Sequence, residues 1–509
     1  MRAPTAAEMR AIDAAAVARD GEVILMRRAG AAIAALVERY ARPGPIVGIA
    51  GGGNNGGDAF AALAALDDAR PRIVYCDDSV TGSAARVDAR DRARVTGVEF
   101  RPLDVQPALL ADAGLILDGV LGANARLPLD PRSAALAAAM NEAGPPILAI
   151  DVPTGLDPST GAAGETCVRA AATIALGAPK LGCFLEPGRS FTGDLWCDDL
   201  GMRDDDAPEP DGAAHESDGA AHVLTEREFR ALLPKRDDES DKRRSGAPLV
   251  LAGSPQFPGA AVLCARGAAR AGAGYVTVAT PAGAAASIRA HLIEQVVVTF
   301  DDTDVLAATG QICDLLNHCS AIAMGPGLGL ADAVGAIVRT VIERTELPIV
   351  ADASALFHLG KHLDALRGKR VVLTPHAGEF ARLSGTGTVD PHARLPRLRA
   401  FVAEHGVTTL LKGRSTLIAD RHHVYVNPTG TPALATAGTG DVLTGMIGTL
   451  LAQGLSPIDA ARVGAFWHGR AGQIAAEQRP VGVIAGDVAE ALSDAVRPRP
   501  DGDGPLRIF

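Results

Sequence analysis

The chemistry-bearing residues of this 509-residue chain gather in short glycine-rich stretches that also carry an acid. The clearest is Ala435–Gly445, reading ATAGTGDVLTG. Gly438-Thr439-Gly440-Asp441 runs straight into Val442–Gln453, an apolar stretch with helical spacing. A glycine turn entering a helix exposes backbone N–H groups at the positive end of the helix dipole, which suits a phosphate. Asp441 then stands where a carboxylate base could meet a hydroxyl beside that phosphate. The same residues also fit a glycine C-cap followed by an Asp N-cap.

A second set lies near the N-terminus. Pro45–Ala50 reads as a buried strand that runs into Gly51-Gly52-Gly53-Asn54-Asn55-Gly56-Gly57-Asp58, with helical spacing from Ala59 to Asp68. Gly51, Gly53 and Gly56 fit GxGxxG, and the strand Arg72–Cys76 ends at Asp77, about 20 residues on, as in a dinucleotide-binding fold. An NAD-dependent dehydrogenase is therefore one reading. Two adjacent Asn side chains point instead to oxygen ligation of a cation or a polar substrate group, or to a turn tolerant of left-handed geometry. The strands Ala113–Leu117 and Pro146–Ile150 lead to Asp118 and Asp151. Ligands of open α/β sheets bind at the carboxyl ends of strands. Asn55, Asp118, Asp151 and Thr154 share that rim, and such an oxygen set suits a hard cation. A strand-end Asp can also simply cap the next helix. Ala172–Trp196 adds a strand, a glycine turn and Lys180, which is either an acid–base group or a surface lysine.

The second half repeats the pattern. Pro248–Ala252 opens into Gly253–Ala261, and Ala321–Met324 into Gly325-Pro326-Gly327-Leu328-Gly329. Pro348–Ala351 ends at Asp352, and Val371–Leu373 at Thr374-Pro375-His376-Ala377-Gly378-Glu379. Thr409–Leu411 leads to Lys412-Gly413-Arg414-Ser415-Thr416, a basic, hydroxyl-bearing turn able to contact phosphates.

Positioning these groups requires alternating strands and helices around largely parallel sheets. The composition, 47% hydrophobic and 21% charged, is that of a globular protein long enough for two or three domains. A net charge of −11 argues against a general nucleic-acid or anionic-membrane binder. Seven cysteines without a CxxC pair indicate neither a disulfide framework nor a zinc site. Arg2, Glu8, Arg10 and Asp13 leave no signal-peptide core, so a cytoplasmic location is expected. The acidic stretch Arg203–Asp218 reads as a linker. The expected layout is one domain over 1–202, a linker over 203–222, a second domain over 223–497 and an unordered tail over 498–509.

In order, NNGGD, LDGVLGANARLP, DVPTGLD and TIALGAPKLGCFLEPG resemble the NAD(P)H-hydrate epimerase family across nearly all of 1–202. That resemblance implies a Rossmann-like α/β domain with a potassium ion on Asn55, Asp118 and Thr154. It implies that Asn54, Asn55, Gly56, Gly57 and Asp58 contact the hydrated nicotinamide nucleotide, together with Gly122, Ala123, Asn124, Ala125, Arg126, Leu127, Pro128 and Asp151. Asp151 is the acid–base candidate. The chain departs from the family's usual wording at Ala59 and at Ala123-Asn124.

LAGSPQFPGAA, AMGPGLG, DASAL, LTPHAGEFARL, LLKGRSTLI and ATAGTGDVLTG similarly resemble the NAD(P)H-hydrate dehydratase family over about 224–495, a branch of the ribokinase-like α/β fold. This implies Ala260, Gly327, His376 and Asp441 at the hydrated nucleotide, and Lys412, Gly413, Arg414, Ser415, Thr416 and Gly440 at the adenine nucleotide. Asp441 is the general base, and magnesium accompanies ADP. The implied partners are hydrated NADH or NADPH and ADP, with no nucleic acid and no membrane, in a homo-oligomer. Two other readings are a dehydrogenase fused to a small-molecule kinase, and a first domain that only binds nucleotide.

Overall fold

The computed structural model describes residues 1–66, 69–202, 221–235, 242, 245–360, 362–387, 390, 393–498 and 505–508. Most of the expected linker, 203–220, lies outside them. The chain divides into two compact units, Met1–His222 with Pro500–Phe509, and Val223–Arg499.

The first unit begins with helices α1 (Ala6–Asp20) and α2 (Glu22–Tyr40), separated at Gly21, whose φ of 85° only glycine adopts without strain. Its strands are β1 (Ile46–Ala50), β2 (Arg72–Cys76), β3 (Glu99–Pro102), β4 (Leu115–Gly119), β5 (Ile147–Ile150), β6 (Ala172–Leu176) and β7 (Asp194–Asp198). They lie in the order β7-β6-β5-β4-β1-β2-β3, all parallel. Every residue of β1, β4, β5 and β6 is buried, as continuous apolar runs covered on both faces require. Leu506–Arg507 adds an antiparallel edge strand on β7, so these residues of the expected unordered tail are ordered.

Helix α3 spans Asn54–Ala65 and starts five residues before the expected Ala59. Glycine and asparagine disfavour helix interiors, but tertiary packing overrides that preference here. A Cβ at Gly56 would lie 2.1 Å from the Gly51 carbonyl oxygen, and one at Gly57 would meet the Met26 side chain at 2.6 Å. Gly51 itself passes against the Val120 carbonyl, 2.1 Å from where its Cβ would be. Two glycines of the GxGxxG pattern thus serve backbone packing. Asp77, the ribose-binding acid of the dehydrogenase reading, accepts from Ser79 and Arg132 instead.

In the second unit the strands are β8 (Pro248–Leu251), β9 (Thr277–Pro281), β10 (Val296–Phe300), β11 (Ala321–Met324), β12 (Ile349–Ala351), β13 (Val371–Leu373), β14 (Thr408–Leu411), β15 (Leu417–Ala419) and β16 (Val424–Val426). Their order is β16-β15-β14-β13-β12-β11-β8-β9-β10, parallel except for the antiparallel hairpins at β15 and β16. This is the ribokinase-like α/β arrangement that the resemblance implies. Among the described residues no helix is long and apolar enough to cross a membrane.

The core of this unit is built around the helix after the glycine turn, Thr439–Ala452, which packs against Pro258–Arg270. Glycines set the contact. A Cβ at Gly445 would stand 1.9 Å from the Cys264 carbonyl oxygen, and one at Gly267 would stand 2.3 Å from that of Val442. Backbone-to-backbone approach of this kind admits no side chain. Gly445→Val should therefore lower stability by about 1–3 kcal/mol through overpacking, read as an earlier midpoint in chemical denaturation.

Candidate functional site

In the second unit the helix Thr439–Ala452 begins at Gly438, whose φ is 91°, and Asp441 is its third residue. Asp441 is half-buried, and its carboxylate makes no hydrogen bond among the described residues. Burial first, and the nearby Asp352 charge second, raise its pKa to about 7, while Lys412 works the other way. Asp352 follows β12 and is 2% exposed. Its Oδ1 accepts from Lys412 Nζ at 2.7 Å and its Oδ2 from Thr444 Oγ1 at 2.8 Å. Ala353, next in the chain, takes a φ of 48°, a strained value for a residue with a Cβ. A Cβ on Gly440 would lie 3.4 Å from Lys412 Nζ, so the ammonium stands over the glycine turn. The turn thus presents helix N–H groups, one lysine and one unpaired carboxylate together.

His468, buried, meets the Thr439 carbonyl oxygen with Nε2 at 2.9 Å. Burial lowers its pKa to about 4, so at neutral pH it is uncharged, and the carbonyl requires the tautomer with hydrogen on Nε2. His468 thereby fixes the first residue of the helix.

The other expected residues of this unit make the following contacts. Ala260 and Gly327 adjoin, since a Cβ on Gly327 would meet that of Ala260 at 2.8 Å. Lys412 N donates to the Pro375 carbonyl at 2.8 Å, so the end of β13 adjoins the basic turn. His376 uses its Nδ1 to cap the helix Ala377–Leu383, accepting from Gly378 N at 3.0 Å, with Glu379 Oε2 completing the capping box. Within Lys412–Thr416, Thr416 Oγ1 donates to the Gly413 carbonyl, and the buried Ser415 hydroxyl has no partner among the described residues.

The first unit gathers a comparable set. Asp151 follows β5 with a φ of 68° and is 9% exposed. Its Oδ1 takes a short hydrogen bond from Lys180, and its Oδ2 accepts from Ala123 N at 2.9 Å. Lys180 is 1% exposed and also donates to the Leu176 carbonyl, which overturns the surface-lysine reading. Burial acts against its ammonium, yet the facing Asp151 carboxylate holds its pKa above the usual value. Asp58, on the second turn of α3, is raised well above the carboxylate range by burial and then by the Asp151 charge. Asn54 is occupied by Glu22 and Ser83.

Gly122 lies between Asn55 and Asp151, where a Cβ would meet Asn55 Oδ1 at 3.0 Å and Asp151 Oδ2 at 3.1 Å. Asp118 lies inside β4, fully buried, and accepts from Thr154 N at 2.8 Å and Thr154 Oγ1 at 2.7 Å. Burial raises its pKa to about 6 against those hydrogen bonds. The buried Asn55 Nδ2 has no partner among the described residues. The loop Gly122–Pro128 makes a turn in which Ala125 N donates to the Gly122 carbonyl.

Two residues carry more weight here than the sequence patterns show. Asp352 is visible only as one strand-end acid among several. Thr444 shows only as a residue one turn after Gly440.

Fold and sites together define a two-unit α/β enzyme, each unit holding an aspartate at the end of a parallel strand paired with a lysine. Residues 248–494 match the family profile described as NAD(P)H-hydrate dehydratase, and residues 22–182 match that of the YjeF-related protein N-terminus. The bifunctional NAD(P)H-hydrate repair enzyme Nnr of Moorella thermoacetica is 33% identical over 97% of this chain and 96% of its own. Its counterpart in Mycobacterium tuberculosis is 36% identical over 89% of each. A crystal structure of an ADP/ATP-dependent NAD(P)H-hydrate dehydratase from Bacillus subtilis, co-crystallised with ATP and Mg²⁺, is 32% identical, with a TM-score of 0.49 over 54% of this chain and 97% of that one. The chain belongs to the bifunctional NAD(P)H-hydrate repair enzyme family.

The Asp441 environment has a testable signature. Asp352→Asn removes a negative charge and releases Lys412, and both changes favour the ionised form of Asp441. The Asp441 carboxyl, followed by carbon NMR, should titrate near 7 in the parent protein and at lower pH in the variant. An unchanged midpoint would separate the two aspartates electrostatically.

Proposed function

We propose that the chain repairs hydrated nicotinamide nucleotides in two reactions. The first unit interconverts the R and S epimers of NAD(P)H hydrate, and the second dehydrates the S form to NAD(P)H at the expense of ADP, giving AMP and phosphate. The observation that carries the second reaction is Asp441. It is an unpaired carboxylate poised near neutrality at a helix N-terminus, with Lys412 over the same turn.

Hydroxide is a poor leaving group, and phosphorylation converts it into a better one. Asp441 takes the proton of the C6 hydroxyl as general base. The amides of Gly438–Gly440 and the Lys412 ammonium hold the phosphoryl oxygens where negative charge develops. Elimination of phosphate then restores the conjugated dihydropyridine. Ala260, Gly327 and His376 line the hydrated nucleotide, and Lys412–Thr416 with Gly440 the adenine nucleotide.

The donor set bears on the ions. Both oxygens of Asp352 are engaged by Lys412 and Thr444, and among the described residues no group of three His, Cys, Asp or Glu could form a metal cage. That fits magnesium carried on the nucleotide phosphates and water, where it would neutralise phosphate charge. In the first unit Asn55, Asp118 and Thr154 offer one carboxylate, one amide and one hydroxyl, a hard oxygen set suited to potassium. The unpartnered Asn55 Nδ2 supports this, because an amide turned over presents oxygen at that place. Bound there, potassium would fix the geometry of the rim. Asp151 serves as the acid–base group of epimerisation, and Asn54–Asp58 with Gly122–Pro128 hold the nucleotide. The layout of 1–202 and 223–497 as epimerase and dehydratase domains in a cytoplasmic homo-oligomer completes the reading.

Incubation with hydrated NADH and ADP should restore NADH absorbance. A dehydrogenase would need a second substrate, and a binding scaffold would restore nothing. Asp441→Asn should lower kcat by roughly 10²–10⁴-fold while ADP still binds. The parent kcat/KM should rise with pH through about 7, because the base works only when deprotonated. Epimer exchange should be faster in potassium than in sodium buffers, and Asp151→Asn should reduce it to the uncatalysed rate.

A further inference from the structure

Helix α1 precedes the part of the chain that matches the family profile, which begins at residue 22. It is nonetheless built into the epimerase site. Ala6 N donates to Ser159 Oγ at 2.9 Å, and Leu181 N donates to the Pro4 carbonyl at 3.0 Å. Met9 packs on Gly177, where a Cβ would meet Met9 Cε at 2.7 Å, and Gly177 directly follows the residue whose carbonyl takes a proton of Lys180. Asp13 is one helical turn beyond Met9, on the face that also buries Ile12 and Ala16. It is half-buried and makes no hydrogen bond among the described residues. Its electrostatic neighbours are Lys180 and Asp151, and its charge is felt in turn by Asp58. The ionisable groups around this point are therefore Lys180 after β6, Asp151 after β5, Asp58 on α3 and Glu22 on α2, which also acts on Asp58.

Epimerisation at C6 needs two proton carriers. One protonates the C6 hydroxyl, so that the C–O bond breaks with its electron pair going to oxygen and water departs. The N1 lone pair then forms a C=N bond. Water adds to the other face of C6, the C=N pair returns to N1, and the proton lost by the entering water passes to a base. One water leaves and one enters, so the step balances without a further reagent. Asp151 accepts from Lys180 on Oδ1 and from Ala123 N on Oδ2, so its oxygens are placed to receive a proton, and it suits the base. The acid is then a second group.

We propose that Asp13 is a second catalytic residue of this site, the acid that protonates the departing C6 hydroxyl. The inference rests on the epimerase reading of the first unit. Burial raises the Asp13 pKa to about 6, so it holds a proton at higher pH than an ordinary carboxyl. Asp58 lies on α3, where burial and then the Asp151 charge raise its pKa.

The test follows R and S exchange of hydrated NADH by proton NMR with the full-length protein, between pH 5 and 8 and in ¹⁸O-labelled water. The parent rate should fall as pH rises through about 6, and label should enter the C6 hydroxyl with each exchange. Asp13→Asn should slow exchange at least 100-fold and remove that pH limb, and Asp13→Glu should restore part of both. Dehydration by the second unit should be unchanged in either variant. A variant that keeps the parent rate, or slows with the limb intact, overturns the role of Asp13, as does exchange without label. If the parent protein and Asp151→Asn both exchange only at the uncatalysed rate, the epimerase reading itself falls, and the proposal with it.

Discussion

A carboxylate at the end of a buried strand, held by one lysine from a distant part of the chain, is the interaction on which both halves depend. Asp151 with Lys180 follows β5, and Asp352 with Lys412 follows β12. In each case the backbone leaves its usual range at or beside the acid, with a φ of 68° at Asp151 and 48° at Ala353. Such values persist only where the surroundings determine them, and here they turn the chain sharply off the strand to face the rim. Taking a charge out of water is costly, and a buried pair recovers that cost only when hydrogen bonds satisfy the remaining lone pairs. Ala123 N does this for Asp151 and Thr444 for Asp352.

The pair also sets the character of its neighbours. One ammonium compensates one carboxylate, so any further acid nearby meets burial without a countercharge of its own. Asp441 in the second unit, and Asp13 and Asp58 in the first, all move upward for that reason. The two units use different helices and different sheet orders, yet reach the same electrical arrangement of a fixed ion pair beside a carboxyl able to exchange a proton.

Strand positions were largely legible, because strands of a parallel sheet read as unbroken apolar runs. Ala321–Met324 and Val371–Leu373 match the expected bounds, and β4 is displaced by two residues. The start of α3 was not legible. Its glycines look like a turn locally, and the reason they are helical lies in Gly51 and Met26, which only the folded chain brings close. The lysine partners were hidden for a related reason. Asp151 and Lys180 are 29 residues apart, and Asp352 and Lys412 are 60 apart, so no local spacing announces either pair. The candidate base Asp441 was legible because its setting, a glycine turn entering a helix, is entirely local. Leu506–Arg507 was hidden by its Pro, Gly and Asp neighbours, since edge pairing to β7 needs little side-chain signal.

Lys180 carries one more consequence. An amine sealed at 1% exposure and engaged by both a carboxylate and a carbonyl is out of reach of acylating metabolites that modify lysines on protein surfaces. Its ammonium form is also unreactive toward electrophiles until it loses a proton. Adducts at this position would accumulate only as often as the surrounding segment opens, so their rate would serve as a clock for breathing of the first unit, recorded in covalent chemistry.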